Sequence, residues 1–463
     1  MFDIKQLNKN AHIHFIGIGG ISMSGLAMIM LQKGYAVTGS DRAKSHITDK
    51  LEKLGAVIHE GHAAQNVAGA DLVIHTAAVH EDNPEMQAAK DLGITLITRA
   101  EFLGAIMKLY RHAAGIAGTH GKTTTTSMLA HALIRSGLDP TVSVGGELDI
   151  IGGNIRTGNS DYFITEACEY TNSFLQFFPT MAVITNIDAD HLDFFSGIEE
   201  IIESFRKYAF LTQGKGCVIA SGNDKNVRTA LSGAPLDIKY YGIGKDYLYH
   251  AENLVYEEGF PSFDIMRGDE LLCSVSLKVP GEHNVLNALA TVAVCDVWGA
   301  DMQLVKQGVE EFSGAHRRFE KKGEYNGALI MDDYAHHPTE IKATLKAASE
   351  LEHKRLWCVF QPHTYSRTKT LWNEFCESFD NVDELIITHI YAAREKPDGV
   401  TKPENLAADI EKRGVKVRYV DDFGEIENIL KSELAPGDVV FTMGAGNVVD
   451  IADSLCKNHA CSK

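Results

Sequence analysis

The sequence predicts an α/β protein of three domains: an N-terminal Rossmann-like unit, a central P-loop ATPase-type unit on a mostly parallel sheet, and a C-terminal Rossmann-like unit. Three observations carry this. Short β-branched and aromatic runs alternate with amphipathic stretches along most of the chain, the pattern of βαβ units. Twice, a glycine-rich turn follows an apolar run and opens a helical pattern, at residues 17–20 and 118–121. The length of 463 residues exceeds one domain at about 150 residues each. The expected boundaries are 1–104, 105–315 and 316–463.

The first unit opens with His14-Phe15-Ile16-Gly17-Ile18-Gly19-Gly20-Ile21-Ser22-Met23-Ser24-Gly25. A strand ending in glycines before a helix presents backbone N–H groups to a pyrophosphate. Ser22 stands where a dinucleotide fingerprint has its third glycine. A second strand ends at Asp41, about 20 residues on, where a carboxylate reaches ribose hydroxyls. A strand at 71–75 leads to Thr76, at the carboxyl end where open α/β sheets place ligand contacts.

The second unit is built on Gly118-Thr119-His120-Gly121-Lys122-Thr123-Thr124, between an apolar run at 113–117 and an amphipathic segment. Loop N–H groups and the helix N-terminus suit phosphates, Lys122 adds a point charge, and the Thr123 hydroxyl suits Mg²⁺. The first glycine of the usual pattern would fall on Ile116, so the loop is a shortened variant. Strands at 162–165 and 181–186 end at Glu166 and before Asp188-Ala189-Asp190-His191. Acidic groups at such strand ends reach a phosphate-bound Mg²⁺. His191 reads either as a ligand or as a histidine satisfied at a helix start. Residues 249–279 read as a β-meander covering one side of the central sheet. Asn284 and Asn287, three apart on one helical face, suit adenine's edge or a helix cap.

Residues 313–319 read as a linker carrying Arg317 and Arg318, after which strands are expected at 328–331, 356–360, 385–388, 415–419 and 439–441. Asp332-Asp333-Tyr334-Ala335-His336-His337-Pro338 and Gln361-Pro362-His363-Thr364-Tyr365-Ser366-Arg367 lie at strand ends. His336, His337 and His363 lack the Cys or acidic partner that completes a familiar zinc spacing.

Composition narrows the function. Hydrophobic residues make up 44% and charged residues 23%, as in ordinary globular proteins. No apolar run approaches the ~20 residues that span a bilayer, and no signal-peptide pattern opens the chain, so membrane insertion is not expected. A net charge of −18 argues against a nucleic-acid partner yet permits a small anionic substrate, because local cations invert the field within a cleft. Eight scattered cysteines fit the reduced thiols of a cytoplasmic protein, and the Cys456, His459, Cys461 tail lacks metal-ligand spacing.

Together these motifs resemble the Mur ligase family, ATP-dependent amide-forming enzymes of peptidoglycan synthesis. The resemblance rests on residues 14–25 and 118–124, Glu166-Ala167-Cys168-Glu169-Tyr170, residues 186–193, residues 281–287, residues 332–338 and residues 361–367, in the family's order. Cys168 departs from the Glu-Ala-Asp-Glu-Ser form of many members. The resemblance implies that L-alanine is joined to the carboxylate of UDP-N-acetylmuramate through an acyl phosphate, with ATP and Mg²⁺ as cofactors. By position it implies that Gly118, Thr119, His120, Gly121, Lys122, Thr123 and Thr124 hold ATP phosphates and that Asn284 and Asn287 hold adenine. Thr123, Glu166 and His191 would bind metal, and Arg317 or Arg318 would lie near the transferred phosphate. Tyr334, His336 or His337, and Arg367 would line the alanine pocket, with one histidine of the pair or a nearby carboxylate serving as base. Gly17, Gly19, Gly20, Ile21 and Ser22, with Asp41 and Thr76, would hold the UDP moiety.

The expected assembly is a monomer or homodimer whose outer arms rotate about the regions near Leu103 and His316. Three alternatives remain at this level: a ligase attaching a recycled peptide to the same nucleotide sugar, an NAD-dependent oxidoreductase using the N-terminal turn, and an NTP-driven binding or switch protein without amide chemistry. The second leaves the P-loop and the third unit unused.

Overall fold

The computed structural model describes residues 2–76, 79–393 and 395–460, the side chains of 458–460 excepted. The tail reading therefore lies partly outside the described residues. Strands β1 (His12–Ile16), β2 (Ala36–Asp41), β3 (Val57–Glu60), β4 (Leu72–His75) and β5 (Thr95–Thr98) form a sheet ordered β3-β2-β1-β4-β5. All its pairings are parallel. The chain order reverses between β1 and β4, so the crevice beyond their carboxyl ends is the ligand position of a doubly wound sheet. The glycine turn at 17–20 opens there.

The central sheet contains β6 (His112–Ala117), β7 (Thr141–Leu148), β8 (Gly153–Arg156), β9 (Tyr162–Glu166), β10 (Met181–Ile184), β11 (Cys217–Ser221), β12 (Ile238–Ile243), β13 (Tyr249–Glu257), β14 (Phe260–Arg267) and β15 (Glu270–Ser276). Its order is β15-β14-β13-β12-β11-β10-β6-β9-β7-β8. The sheet is parallel from β7 to β13 and closes with an antiparallel hairpin at each end. β6 must be narrow: the Tyr208 hydroxyl donates to the Gly115 carbonyl at 2.8 Å, and a Cβ on Gly115 would lie 2.2 Å from that oxygen.

The meander lies elsewhere than expected. Rather than covering a side of the sheet, β13–β15 extend its edge through the parallel pairing Tyr241↔Tyr249. Their alternation supplies one apolar face, Phe263, Ile265, Cys273 and Val275, which joins the core under helix Glu282–Val297. A strand with a single apolar face fits beside a sheet that already has a helical layer and gains nothing by stacking on it.

The C-terminal sheet, β16 (Glu320–Tyr325), β17 (Ala328–Asp333), β18 (Leu356–Phe360), β19 (Glu384–Ile387), β20 (Val417–Tyr419) and β21 (Val439–Met443), has the order β16-β17-β21-β18-β19-β20. Only β16 and β17 pair antiparallel.

The two seams between domains differ in kind. Phe15 of the first unit and Phe163, Phe174 and Phe205 of the second belong to one apolar core, bridged by Phe102. Helix Arg99–Met107 runs through the expected boundary at residue 104, and a Cβ on Gly104 would lie 2.0 Å from the Gln176 carbonyl oxygen. Leu103 is buried in that core, which is close packing rather than a hinge. The third unit keeps its own cores and meets the second through polar contacts.

Candidate functional site

At the N-terminal turn, Gly17 takes φ +82°, and a Cβ there would lie 3.1 Å from Thr76 Cγ2. The Gly19 N–H donates to Asp41 Oδ2 at 2.8 Å. Gly20 caps helix Ile21–Gln32 with no side-chain bond to its first N–H groups, so they face outward with the positive end of the dipole. Gly17, Gly19, Gly20, Ile21, Asp41 and Thr76 are thus brought together as expected. Ser22 is engaged differently: its hydroxyl accepts from Arg99 Nη1 at 2.9 Å. Arg99, absent from the sequence reading, places a guanidinium between this turn and the second unit, and burial lowers its pKa.

The phosphate loop is fastened to the end of β10. The His120 N–H donates to Asn186 Oδ1 at 2.8 Å, while Asn186 Nδ2 and the Thr185 hydroxyl donate to the His120 carbonyl at 2.9 and 2.7 Å. Gly118 (φ +149°) and Gly121 (φ +81°) allow this closeness, since Cβ atoms there would sit 1.9 Å from Thr185 Oγ1 and 2.8 Å from Asn287 Oδ1. Lys122 Nζ donates to the Gly118 carbonyl, to the Thr119 carbonyl at 3.0 Å and to Glu169 Oε2 at 3.1 Å. Burial is the largest single influence and opposes its charge, but the surrounding acidic groups, Glu169 first and Glu166 among the rest, together outweigh it and hold the pKa above the usual value. Cys168 is pushed up to about 11, chiefly by burial, so the residue at the family's variable position is a neutral thiol.

Glu166 and Thr123 lie under one Gly-Gly segment of β7. The Gly145 N–H donates to Glu166 Oε1 at 2.6 Å. A Cβ on Gly145 would lie 2.8 Å from Glu166 Oε2, and one on Gly146 would lie 3.3 Å from Thr123 Cγ2. A carboxylate and a hydroxyl in a cradle that only glycine leaves open suit a hard cation such as Mg²⁺. His191 has φ +52°, packs its ring on Tyr170 at 4.6 Å and lines a second cavity described below.

A cavity of about 490 Å³ runs from His120, Gly121 and Thr124 past Asn284 and Asn287 to Arg318, Asp333 and Glu340. Its volume and mixed lining suit a nucleotide. The two asparagines face it, but their polar atoms are partly engaged: Asn287 Nδ2 donates to Asn284 Oδ1 at 3.0 Å, and Asn287 Oδ1 accepts from the Thr125 hydroxyl at 3.0 Å. Asn287 therefore ties the P-loop helix to helix Glu282–Val297. Asp333, on the same wall, is raised to about 6 by burial, against the pull of Arg318 and two backbone donors.

The arginine pair separates. Arg317 donates to Asp332 Oδ2 at 3.1 Å and to the Gly444 and Gly446 carbonyls at 2.7 and 2.9 Å, which fixes strand ends of the third unit. Arg318 lines the nucleotide cavity. Tyr334, expected in an amino-acid pocket, is turned to these arginines, whose guanidinium carbons lie 4.9 and 5.1 Å from its ring centre.

A second cavity, of about 480 Å³, lies between the second and third units and is lined by Tyr170, Asp190, His191, His363 and Arg367 among others. Arg367 donates to Asp190 Oδ1 through Nε and Nη2 at 3.1 and 3.0 Å. Burial opposes ionisation of Asp190, yet the Arg367 charge together with the surrounding histidines holds its pKa far below the usual range. His363 and His336, with rings 5.6 Å apart, are lowered to about 3 and about 4, in each case mainly by burial. Both are neutral imidazoles at neutral pH.

On the wall of the nucleotide cavity, His120 Nε2 lies 3.2 Å from Asp188 Oδ2 and Nδ1 lies 3.2 Å from Glu340 Oε1. Burial works against its charge, but the two carboxylates raise its pKa to about 9. Thr339 donates to Asp188 Oδ2 at 2.7 Å. Glu340 Oε2 accepts from the His336 and His337 N–H groups at 3.1 and 3.3 Å, at the start of helix Pro338–Ser349, where His337 is the cap. The Pro338-Thr339-Glu340 run, proline then acid in a first turn, is the local signal that marks this helix start. Glu340's reach to the phosphate loop has no local signal.

Family models match three consecutive stretches: the Mur ligase family catalytic domain at residues 12–111, the Mur ligase middle domain at 116–295, and the Mur ligase glutamate ligase domain at 317–446. The chain belongs to the Mur ligase family. The particular relatives are alike: the UDP-N-acetylmuramate–L-alanine ligase of Caldanaerobacter subterraneus subsp. tengcongensis is 50% identical over 98% of this chain and 99% of its own length. That of Acetivibrio thermocellus is 49% identical over 97% of each. Among solved structures, the UDP-N-acetylmuramate-alanine ligase of Thermotoga maritima superposes with a TM-score of 0.80 at 30% identity, covering 98% of this chain and all of that one. A murein peptide ligase from Psychrobacter arcticus gives 0.69 at 26% identity, over 97% and 98% of the two chains. The oxidoreductase reading of the N-terminal turn is set aside by these matches.

Proposed function

We propose that the protein is an ATP-dependent ligase that joins L-alanine to the carboxylate of UDP-N-acetylmuramate, releasing ADP and phosphate, as a cytoplasmic step of peptidoglycan precursor synthesis. The observation that carries the reading is the placement of the Lys122 loop between a pyrophosphate-type turn and a cavity holding Arg367 and the neutral imidazole of His363. The near-full-length identity of about half with the alanine-adding relatives supports the choice of substrates.

A carboxylate is a poor acyl donor, and transfer of the γ-phosphate to it creates a leaving group. Such a transfer depends on positioning and charge neutralisation. Lys122 supplies a fixed positive charge at the loop, and Arg318 faces the nucleotide cavity from the third unit. Thr123, Glu166 and His191 would hold Mg²⁺, which neutralises phosphate charge when bound. Arg367 holds the amino acid's carboxylate in the second cavity by a planar fork, exchanging part of its bond to Asp190. After the amine attacks the acyl phosphate, its nitrogen is strongly acidic, and His363 or His336 accepts the proton.

Phosphate release tests the reading. Release is expected only with ATP, UDP-N-acetylmuramate and L-alanine together. Release with a tripeptide but not with alanine would instead establish the recycling ligase.

A further inference from the structure

The geometry points to a binding site for a zinc-class divalent cation, formed by His120, Asp188 and His337, which ties the phosphate loop to the C-terminal domain. It is separate from the magnesium position at Thr123 and Glu166, and it stands whether or not the large cavity takes ATP. Among the described residues, this is the one group of three His, Cys, Asp or Glu side chains whose ligand atoms all lie within 4.8 Å of one another.

Three features favour a cation over a chance cluster. The first is spacing. His120 Nε2 and His337 Nδ1 lie 3.2 and 3.9 Å from Asp188 Oδ2, and the edge of a tetrahedron around zinc with bonds of about 2.0–2.1 Å is about 3.3–3.4 Å. A shift of roughly half an ångström brings His337 Nδ1 to that distance from Asp188, and the ligand atoms of all three residues lie within 4.8 Å of one another.

The second is the far side of each ring. Histidines that bind metal are oriented by an acceptor on the other nitrogen. His120 Nδ1 faces Glu340 Oε1 at 3.2 Å and His337 Nε2 faces the Ala189 carbonyl at 3.2 Å. Both acceptors turn the opposite nitrogens toward Asp188. The competing bond on the His337 side, from the Thr339 N–H to Nδ1, is long at 3.3 Å.

The third is ligand chemistry. Two imidazoles and one carboxylate, with a fourth position open to water or a phosphate oxygen, suit zinc or cobalt and not magnesium, which prefers oxygen. The ligands come from the phosphate loop, the segment after β10 and the cap of helix Pro338–Ser349. A bound cation therefore links two domains and draws on a residue of the phosphate loop itself. The cation takes the Nε2 lone pair of His120, and any proton that nitrogen carries leaves to solvent.

The test uses the full-length protein without nucleotide, with Co²⁺ as a spectroscopic probe and Zn²⁺ as competitor. The expected result is one equivalent of Co²⁺ giving the intense visible bands of a tetrahedral site. Zn²⁺ should displace it and raise the melting temperature. His337→Gln and His120→Asn should abolish the bands, and Glu340→Gln, which removes only the orienting acceptor, should weaken binding about 10- to 100-fold. Circular dichroism of each variant separates ligand loss from misfolding, and the wild-type spectrum decides if a variant does not fold. Weak octahedral bands, or bands unchanged in both folded histidine variants, would overturn the assignment.

Discussion

Replacing Glu340 with glutamine probes the contact that joins the phosphate loop to the C-terminal domain. The side chain keeps its shape, so its oxygen can still accept from the His336 and His337 N–H groups that it caps. What it loses is the charge opposite His120 Nδ1, 3.2 Å away and largely shielded from solvent. A hydrogen bond to a charged group contributes about 1.5–3 kcal/mol. The His120 titration midpoint should therefore fall from about 9 by roughly one to two pH units, with Asp188 as the remaining partner. The sign follows from the raised value. The contact is fully stabilising below the ordinary imidazole pKa of 6.5 and is lost as pH rises toward about 9, so the variant should lose it at a lower pH than the wild type. If docking of the third domain limits turnover, the same energy corresponds to a loss of about 10- to 150-fold in kcat. NMR of the imidazole carbon resonances gives the midpoint and steady-state phosphate release gives the rate. A midpoint still near 9 with unchanged turnover would refute the assignment of Glu340 as the anchor of His120.

Lys122→Met should lower ATP-dependent turnover by at least about 100-fold while leaving UDP-N-acetylmuramate affinity, read by calorimetry, within threefold or so; equal loss of both would undo the separation of the two sites. Gly104→Ala should lower stability by about 1–3 kcal/mol or more, because the new Cβ meets the Gln176 carbonyl at 2.0 Å, and denaturant unfolding checks it. Glu85 is buried and its pKa is held down to about 2: burial alone would raise it, but the His14 imidazole 3.7 Å away and hydrogen bonds from Ser40, Asn66 and His62 prevail. Its contribution is present above pH 4.5 and lost as pH falls toward about 2. Glu85→Gln should flatten this acid limb of the melting-temperature profile, and an unchanged limb would count against it.

Most of the parallel core was legible because its signals are local. The apolar run and glycine loop before Lys122 announce strand, turn and helix, and the strand at 356–360 emerges as β18 without adjustment. The β7–β8 hairpin was not read, and with it went Gly145 and Gly146, the cradle around Glu166 and Thr123. The meander was read as strands but placed on a face, because alternation defines which side of a strand is apolar and not which strand it pairs with. The contacts at the middle–C-terminal seam were beyond reach for a different reason. His120 and Glu340 are 220 positions apart, and Arg367 and Asp190 are 177 apart. Their meeting depends on how whole domains dock, for which no short pattern exists. Arg317 and Arg318 show the same limit at close range: adjacent in sequence, they point to different tasks.

The contrast between the two seams has a consequence for how the molecule comes apart. Burial of apolar surface is what couples neighbouring regions into one melting unit. The core shared through Phe102 makes the first two sheets such a unit, whereas charged contacts and a short linker leave the third nearly autonomous. A chain with three sheets should thus show two calorimetric transitions. Raising the pH past the titration of His120 should draw them further apart, by releasing the smaller body from the larger while both remain folded.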